Sequence, residues 1–368
     1  MARKIEEIDK NLAAAAAGEA DAVYYDCMSD PFVINGLFEP RTSGKFIRLP
    51  EKFLTDDTLN DGVKYLMYNT AGGRIRFATD SPYVAVRVSL TDPGIFSHMP
   101  ATCIAGCDVY AAPAGSGRES VYAGTVIPGA DWEKTKQYMG TVRLDGGQLR
   151  EITVNLPLYS SVSEVVIGLK EGAKLEAPAP YRVEKPVVYY GSSITQGGCA
   201  SRPGNCYSAR LSRLLDCDHI NLGFSGSARG EQSVADYIAA LDMSAFVLDY
   251  DHNAPTTAHL EATHHKFYRT VREKNPALPI VMITAPHPQI VSEAKLEGER
   301  SFELSRAIIM KSFAKGIEAG DKNLYFIDGN GFFTGADSDD CTVDGTHPTD
   351  LGFMRMADSI YALLKKLI

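Results

Sequence analysis

The chain has 368 residues, 45% of them hydrophobic and 23% charged, and carries a formal net charge of −9 from 37 basic and 46 acidic side chains. The length suggests two domains and the balance an ordinary globular protein, which excludes a disordered chain. Net negative charge sets an average repulsion against nucleic acid or an anionic membrane, and no stretch approaches the roughly 18 apolar residues that a membrane span needs, so neither is expected as a partner.

The chain opens on Met1-Ala2-Arg3-Lys4 and continues Ile5-Glu6-Glu7-Ile8-Asp9-Lys10, basic residues with no apolar run behind them. The five alanines at 13–17 are too few and too closely flanked by charge to supply one. The expectation is a short helical N-terminal segment and, with no export signal in view, a cytoplasmic protein.

From about residue 44 to 169 the segments are short and β-rich. Examples are Arg74-Ile75-Arg76-Phe77-Ala78, Tyr83-Val84-Ala85-Val86-Arg87-Val88, Ile152-Thr153-Val154-Asn155-Leu156 and Val165-Val166-Ile167-Gly168-Leu169. Apolar residues alternating with polar or small ones between turn-forming clusters mark half-buried antiparallel strands, and several in a row predict a β-sandwich. The seven cysteines are scattered and odd in number. Cys103 and Cys107 lack a second Cys/His pair to complete a zinc site, so buried thiols and no metal are expected. Glu176-Ala177-Pro178-Ala179-Pro180 then breaks the pattern, because proline donates no backbone hydrogen bond and stiffens the chain. The boundary is placed there, giving domains 1–180 and 181–368.

Beyond it, apolar strands at 187–190, 219–222, 246–250, 280–284 and 324–327 alternate with helices near 205–216, 230–241, 257–274, 300–319 and 350–366. Strands each followed by a helix predict an α/β domain with a five-stranded parallel sheet covered on both faces. Ligands of such sheets bind beyond the carboxyl ends of the strands, and four polar segments fall at those ends. After the first strand comes Gly191-Ser192-Ser193-Ile194-Thr195, where a glycine turns the chain sharply into a helix start. Backbone amides there can hold the oxyanion that a nucleophilic serine generates, although a capping Ser/Thr cluster has the same pattern. After the second strand, Asn221-Leu222-Gly223-Phe224-Ser225-Gly226 offers glycine amides; Ser225 misses a nucleophile elbow because Ser227 occupies the last glycine position. The third strand ends Asp249-Tyr250-Asp251-His252-Asn253, where a side-chain amide would lie beside the two preceding loops. Just before the last helix, Asp344-Gly345-Thr346-His347 spaces a carboxylate and an imidazole on one turn, so that the first can orient the second.

These four segments, in this order, resemble the signature blocks of SGNH/GDSL hydrolases over about residues 186–368. The resemblance implies a nucleophile at Ser193, a base pair of His347 with Asp344, and oxyanion donors at the Ser193 amide, the Gly226 amide and the Asn253 side chain. It also implies a three-layer, flavodoxin-like α/β/α fold and no cofactor. Two residues depart from the pattern: Ser192 stands before the nucleophile in place of aspartate, and His252 replaces a small residue before Asn253. A β-rich half followed by such a domain also resembles bacterial carbohydrate esterases with an N-terminal jelly roll. The expected activity is serine-esterase hydrolysis of short acyl groups, acetyl on carbohydrate first. A lipid or thioester acyl hydrolase, or a carbohydrate-binding protein with a silent hydrolase domain, stays open. His252 and His287 are candidates for lining the pocket. The adjacent His264 and His265 point about 100° apart on a helix and make a poor chelate, and Trp132 reads as a packed side chain before a sugar platform.

Overall fold

The computed structural model describes residues 19–115, 120–286 and 301–368. The expected N-terminal helical segment and His287 lie outside these residues. Two units emerge: Met1–Ile47 with Tyr68–Pro180 and Ser201–Gly204, and Arg48–Met67 with Tyr181–Ala200 and Asn205–Ile368. A division thus falls between residues 180 and 181, and two short segments cross it in sequence.

The first unit holds ten described strands: β1 (Ala22–Asp26), β2 (Val33–Asn35), β3 (Arg74–Thr79), β4 (Tyr83–Asp92), β5 (Cys107–Pro113), β6 (Val121–Val126), β7 (Gln137–Arg143), β8 (Arg150–Asn155), β9 (Ser161–Lys170) and β10 (Leu175–Glu176). They form two antiparallel sheets, ordered β1-β9-β4-β7 and β10-β3-β8-β5-β6, with β2 pairing β3. In β7 the inward residues Tyr138, Gly140 and Val142 are buried while Gln137 and Arg143 are exposed, the alternation the sequence predicts. Trp132 and all seven cysteines are buried.

The tetrapeptide Ser201–Gly204 counts with this unit because its polar groups meet a buried carboxylate on β5. Asp108 accepts from Arg202 at 3.0 Å, from the Gly204 amide at 2.8 Å and from Asn155 at 2.8 Å. Burial still holds the Asp108 carboxyl above its usual range against these three donors.

The second unit is an α/β fold around five strands: β11 (Val183–Gly191), β12 (Cys217–Gly223), β13 (Ala245–Asp249), β14 (Ile280–Ile283) and β15 (Leu324–Ile327). All pairings are parallel, in the order β12-β11-β13-β14-β15. Every residue of β13 and β14 is buried, as in a sheet covered on both faces. The covering helices are Tyr207–Leu215, Gln232–Ala239, Thr257–Lys274, Phe302–Glu318 and Asp350–Leu364. Helix Thr257–Lys274 turns Leu260, His264, Phe267 and Val271 inward at helical spacing. Thr256, Ser301 and Thr349 each accept the backbone N–H three residues on, which fixes where three of these helices begin. Among the described residues no helix is long and apolar enough to cross a membrane.

Because β11 lies between β12 and β13, the chain leaves β11 toward one side and β12 toward the other. A crevice opens at such a switch point, beyond the carboxyl ends of the strands. The residues that follow β11, β12 and β13 are therefore neighbours there.

Arg48–Met67 departs from the sequence-based division, which places it in the first domain. A 3-10 turn (Glu51–Thr55) and a short helix (Asp61–Leu66) build it, and the Arg48 amide donates to the Met67 carbonyl at 2.8 Å, so its ends meet. Phe53, Leu59, Val63 and Met67 are buried, and Phe53 stacks edge-on against Tyr237 of the second unit. Short apolar stretches of this kind carry no periodicity that distinguishes one domain from the next.

Candidate active site

Strand β11 ends at Gly191, where the end of neighbouring β13 and the turn that follows leave no room for a side chain. A Cβ there would stand 2.1 Å from the Asp249 carbonyl and 2.0 Å from Thr195 Oγ1. The Ser192 amide donates to that Asp249 carbonyl, and the Ser192 hydroxyl caps the following turn by accepting from the Ile194 amide at 3.2 Å. The cap reading of the Ser/Thr cluster is thus met by Ser192, which leaves the adjacent Ser193 as the first residue of the helical turn Ser193–Gln196. At that position the backbone N–H has no acceptor inside the helix.

Ser193 Oγ lies 2.9 Å from His347 Nε2, and His347 Nδ1 lies 2.7 Å from Asp344 Oδ2. Asp344 Oδ1 also accepts the amides of His347 at 2.8 Å and Thr346 at 3.0 Å. Partial burial raises the Asp344 carboxyl, but the hydrogen bonds from His347 and its imidazole charge outweigh that, so the group sits below its ordinary value. It therefore stays an anion facing Nδ1. An imidazole with its Nδ1 proton on that carboxylate presents an acceptor at Nε2 to the serine hydroxyl.

The loop after β12 brings the second segment alongside. Phe224 donates to the Gly191 carbonyl at 2.9 Å, and Ser225 donates to Gln196 Oε1 at 3.0 Å. Asn221 ties the same elements from below, its Nδ2 reaching the Thr195 carbonyl at 2.7 Å and Ser208 Oγ at 3.2 Å. Gly226 has φ +64°, a left-handed conformation that a Cβ would strain, and its amide donates to no described group. Asn253 follows β13, and its Nδ2 donates to the Phe224 carbonyl at 2.9 Å, so one of its two N–H bonds anchors it beside the Gly226 loop. Ser193, His347, Asp344, Gly226 and Asn253 all belong to the second unit.

His252 precedes Asn253, half-buried, with its ring edge-on to Phe302. Asp249 and Asp251 act beneath the site. Burial, then the charge of Asp251, pushes Asp249 well above the carboxylate range; its Oδ2 accepts from Thr195 at 3.1 Å and Tyr207 at 3.3 Å. Asp251 is pushed up to about 6 by burial and accepts the Ala285 amide at 2.8 Å, linking β13's exit to β14's. Neither spacing nor residue type identifies these roles in the sequence, since both depend on which loops become neighbours.

The same holds for Arg48 and Asn60, which sequence reasoning missed. Arg48 is 1% exposed and donates to the carbonyls of Asn221 at 3.1 Å, Gly223 at 2.6 Å and Leu66 at 2.6 Å, with its guanidinium 4.5 Å above the Phe224 ring. Asn60 Nδ2 donates to the Ser227 carbonyl at 2.8 Å and to Glu231 Oε1 at 2.7 Å.

Residues 184–365 match the model of the GDSL-like lipase/acylhydrolase family, and residues 22–175 match that of the N-terminal region of SGNH-hydrolase-type esterases. No curated protein matches. Among solved structures, a candidate GDSL-like lipase from Bacteroides ovatus is 31% identical, with 94% of this chain and 98% of that one covered and a TM-score of 0.81. A salicylyl-acyltransferase from a tetracycline biosynthetic pathway shares the fold at 21% identity, over 95% and 98% of the two chains, with a TM-score of 0.73. An acetyl xylan esterase from the rumen bacterium Butyrivibrio proteoclasticus shares it at 11% identity, over 94% and 98%, with a TM-score of 0.57. Two family models that between them span both halves, and a relative at this identity over nearly the whole chain, show that the protein is an ester-hydrolysing enzyme of the SGNH/GDSL family.

Proposed function

We propose that the protein removes short acyl groups, acetyl foremost, from carbohydrate through an acyl-enzyme on Ser193. The observation that carries the mechanism is the unbroken chain Ser193 Oγ–His347 Nε2–His347 Nδ1–Asp344, with its two contacts of 2.9 and 2.7 Å. Ser193 Oγ attacks the ester carbonyl while His347 takes its proton, and the tetrahedral oxyanion is held by the amides of Ser193 and Gly226 and by the remaining N–H of Asn253. Collapse of this intermediate breaks the bond to the alcohol, which leaves with the proton from His347. Water, deprotonated by the same imidazole, then releases the acid and restores the serine. Asp344, anionic throughout, holds the tautomer and stabilises the imidazolium.

The fold shared with the acetyl xylan esterase, across both halves of the chain, supports an O-acetylated sugar as substrate. A second reading, a short-chain lipid or thioester acyl hydrolase, is supported by the likeness to the candidate lipase at 31% identity. Rates on p-nitrophenyl acetate, butyrate and octanoate, with acetate release from acetylated xylo-oligosaccharide measured in parallel, separate the two. Acetate selectivity together with deacetylation of the sugar supports the first. A rise in rate with chain length and no acetate from the sugar would replace it with the second. Binding of the sugar without any turnover would leave a carbohydrate-binding protein.

A further inference from the structure

The proposed donor Gly226 sits on a loop whose two flanks are both held by one distant segment. On the approach, Arg48 donates to the carbonyls of Asn221 and Gly223, at the end of β12, and covers the Phe224 ring. On the departure, Asn60 donates to the carbonyl of Ser227, the residue after Gly226. Gly62 lies against the same serine so closely that a Cβ there would stand 2.0 Å from Ser227 Oγ. Asn60 also binds Glu231 Oε1, whose carboxylate accepts the Arg229 amide at 3.2 Å and, through Oε2, the Tyr190 hydroxyl at 2.5 Å.

Arg48 and Asn60 are in turn fixed within their own segment. The Arg48 guanidinium reaches back to the Leu66 carbonyl, its amide closes onto Met67, and Asn60 Oδ1 caps helix Asp61–Leu66 by accepting from Val63 at 3.2 Å. A guanidinium presents its donors in a rigid planar fork, so three carbonyls bound at once fix their mutual positions. An oxyanion donor must be held to a fraction of an ångström, and an αL glycine left to itself has wide conformational freedom.

We propose that Arg48–Met67 is a positioning strap for the oxyanion loop, with Arg48 and Asn60 as positioning residues that aim the Gly226 amide. The proposal rests on the reading of Gly226 as an oxyanion donor. It assigns a contribution to catalysis to a stretch that precedes the hydrolase domain in sequence, and that touches no proposed triad residue in any contact described above.

The test compares Asn60→Ser and Arg48→Lys with the wild type and with Ser193→Ala. Serine keeps the helix cap but cannot donate to Ser227 as the amide does, and lysine keeps the charge but not the fork. Steady-state hydrolysis of p-nitrophenyl acetate is measured beside the affinity for a small alkylboronic acid, which forms an anionic tetrahedral adduct on an active serine. The strap predicts kcat lower by about tenfold in each variant, KM within about twofold of wild type, and boronate affinity weakened by a factor similar to that in kcat. A merely structural role would lower the melting temperature without this matched loss.

Folded Asn60→Ser with unchanged kcat and boronate affinity, or with only KM raised, overturns the proposal. If Arg48→Lys does not fold, Asn60→Ser decides alone. Failure of the underlying mechanism looks different, because Ser193→Ala would then hydrolyse the ester as fast as the wild type.

Discussion

Ser193 Oγ and His347 Nε2 lie 2.9 Å apart although 154 positions separate them in the chain. The parallel sheet produces this contact. Ser193 opens the turn after strand β11, while His347 lies in the loop that enters the last helix, Asp350–Leu364, which packs back against helix Tyr207–Leu215. Asp344 needs no such long connection, since its backbone contacts to His347 and Thr346 set it three residues away on the same loop.

Asp344→Asn tests the tautomer argument. An amide oxygen can still accept the two backbone N–H groups, but its NH₂ would oppose the Nδ1 proton and favour the imidazole with its proton on Nε2. That form cannot accept from Ser193. The expected loss in kcat is about 10³–10⁴, with KM little changed, read from steady-state kinetics. A loss below tenfold would mean that Asp344 does not set the imidazole's state.

Asn253→Ala removes a donor that already spends one N–H on Phe224. If the other serves the oxyanion, kcat falls by about 10²–10³. An undiminished rate in the folded variant would remove Asn253 from the site.

Gly191→Ala and Gly226→Ala separate two reasons for glycine. At Gly191 the new Cβ meets the Asp249 carbonyl at 2.1 Å, so the strand ends must part, and a cost of about 3 kcal/mol or more is expected. At Gly226 the Cβ meets nothing within 4 Å, and only φ +64° opposes it, at about 1–2 kcal/mol. Urea unfolding of both variants gives the comparison, and equal costs would contradict it.

His264 gives a pH dependence of stability. Its ring is buried and stacked 5.7 Å from Tyr250, and burial, then the charge of His265, pushes it down to about 3 from 6.5. Between those values the unfolded chain takes up the proton and the folded one does not. The stability His264 contributes is therefore full above pH 6.5 and is lost as pH falls toward 3. Asp251, pushed up to about 6 from 3.8, works in the opposite sense and loses its contribution as pH rises through that interval. The His264 effect is accordingly isolated as a difference: between pH 6.5 and 4.5 the wild type should lose about 2 kcal/mol relative to His264→Phe in urea unfolding. Parallel curves would show that His264 is protonated in the folded state.

Much of this was legible in the sequence, for physical reasons. The second half of β11 (187–190), β13 up to Asp249 and β14 read as apolar runs because both faces of the sheet are covered there, and the ends of β11, β12 and β13 are marked by Gly191, Gly223 and Asp249, where the chain must turn or cap. Four polar segments at those ends then come together by the geometry of a parallel sheet alone. What escaped detection has no local signature. Arg48 binds carbonyls, which every residue carries, so nothing in its neighbours announces the partner 173 positions away. Arg202 meets Asp108 in the same hidden fashion. The strap 48–67 breaks the one-segment-per-domain pattern that a linker at 176–180 suggests, because apolar residues such as Phe53 and Val63 do not specify which core they enter.

The most direct test is to mix the protein with p-nitrophenyl acetate, quench within one turnover and locate the acyl group by peptide mass spectrometry. One acetyl group on the peptide carrying Ser193, with no adduct on that peptide in Ser193→Ala, is the predicted result. Turnover with no acetylated serine, or acetylation elsewhere that persists in Ser193→Ala, would contradict nucleophilic attack by Ser193.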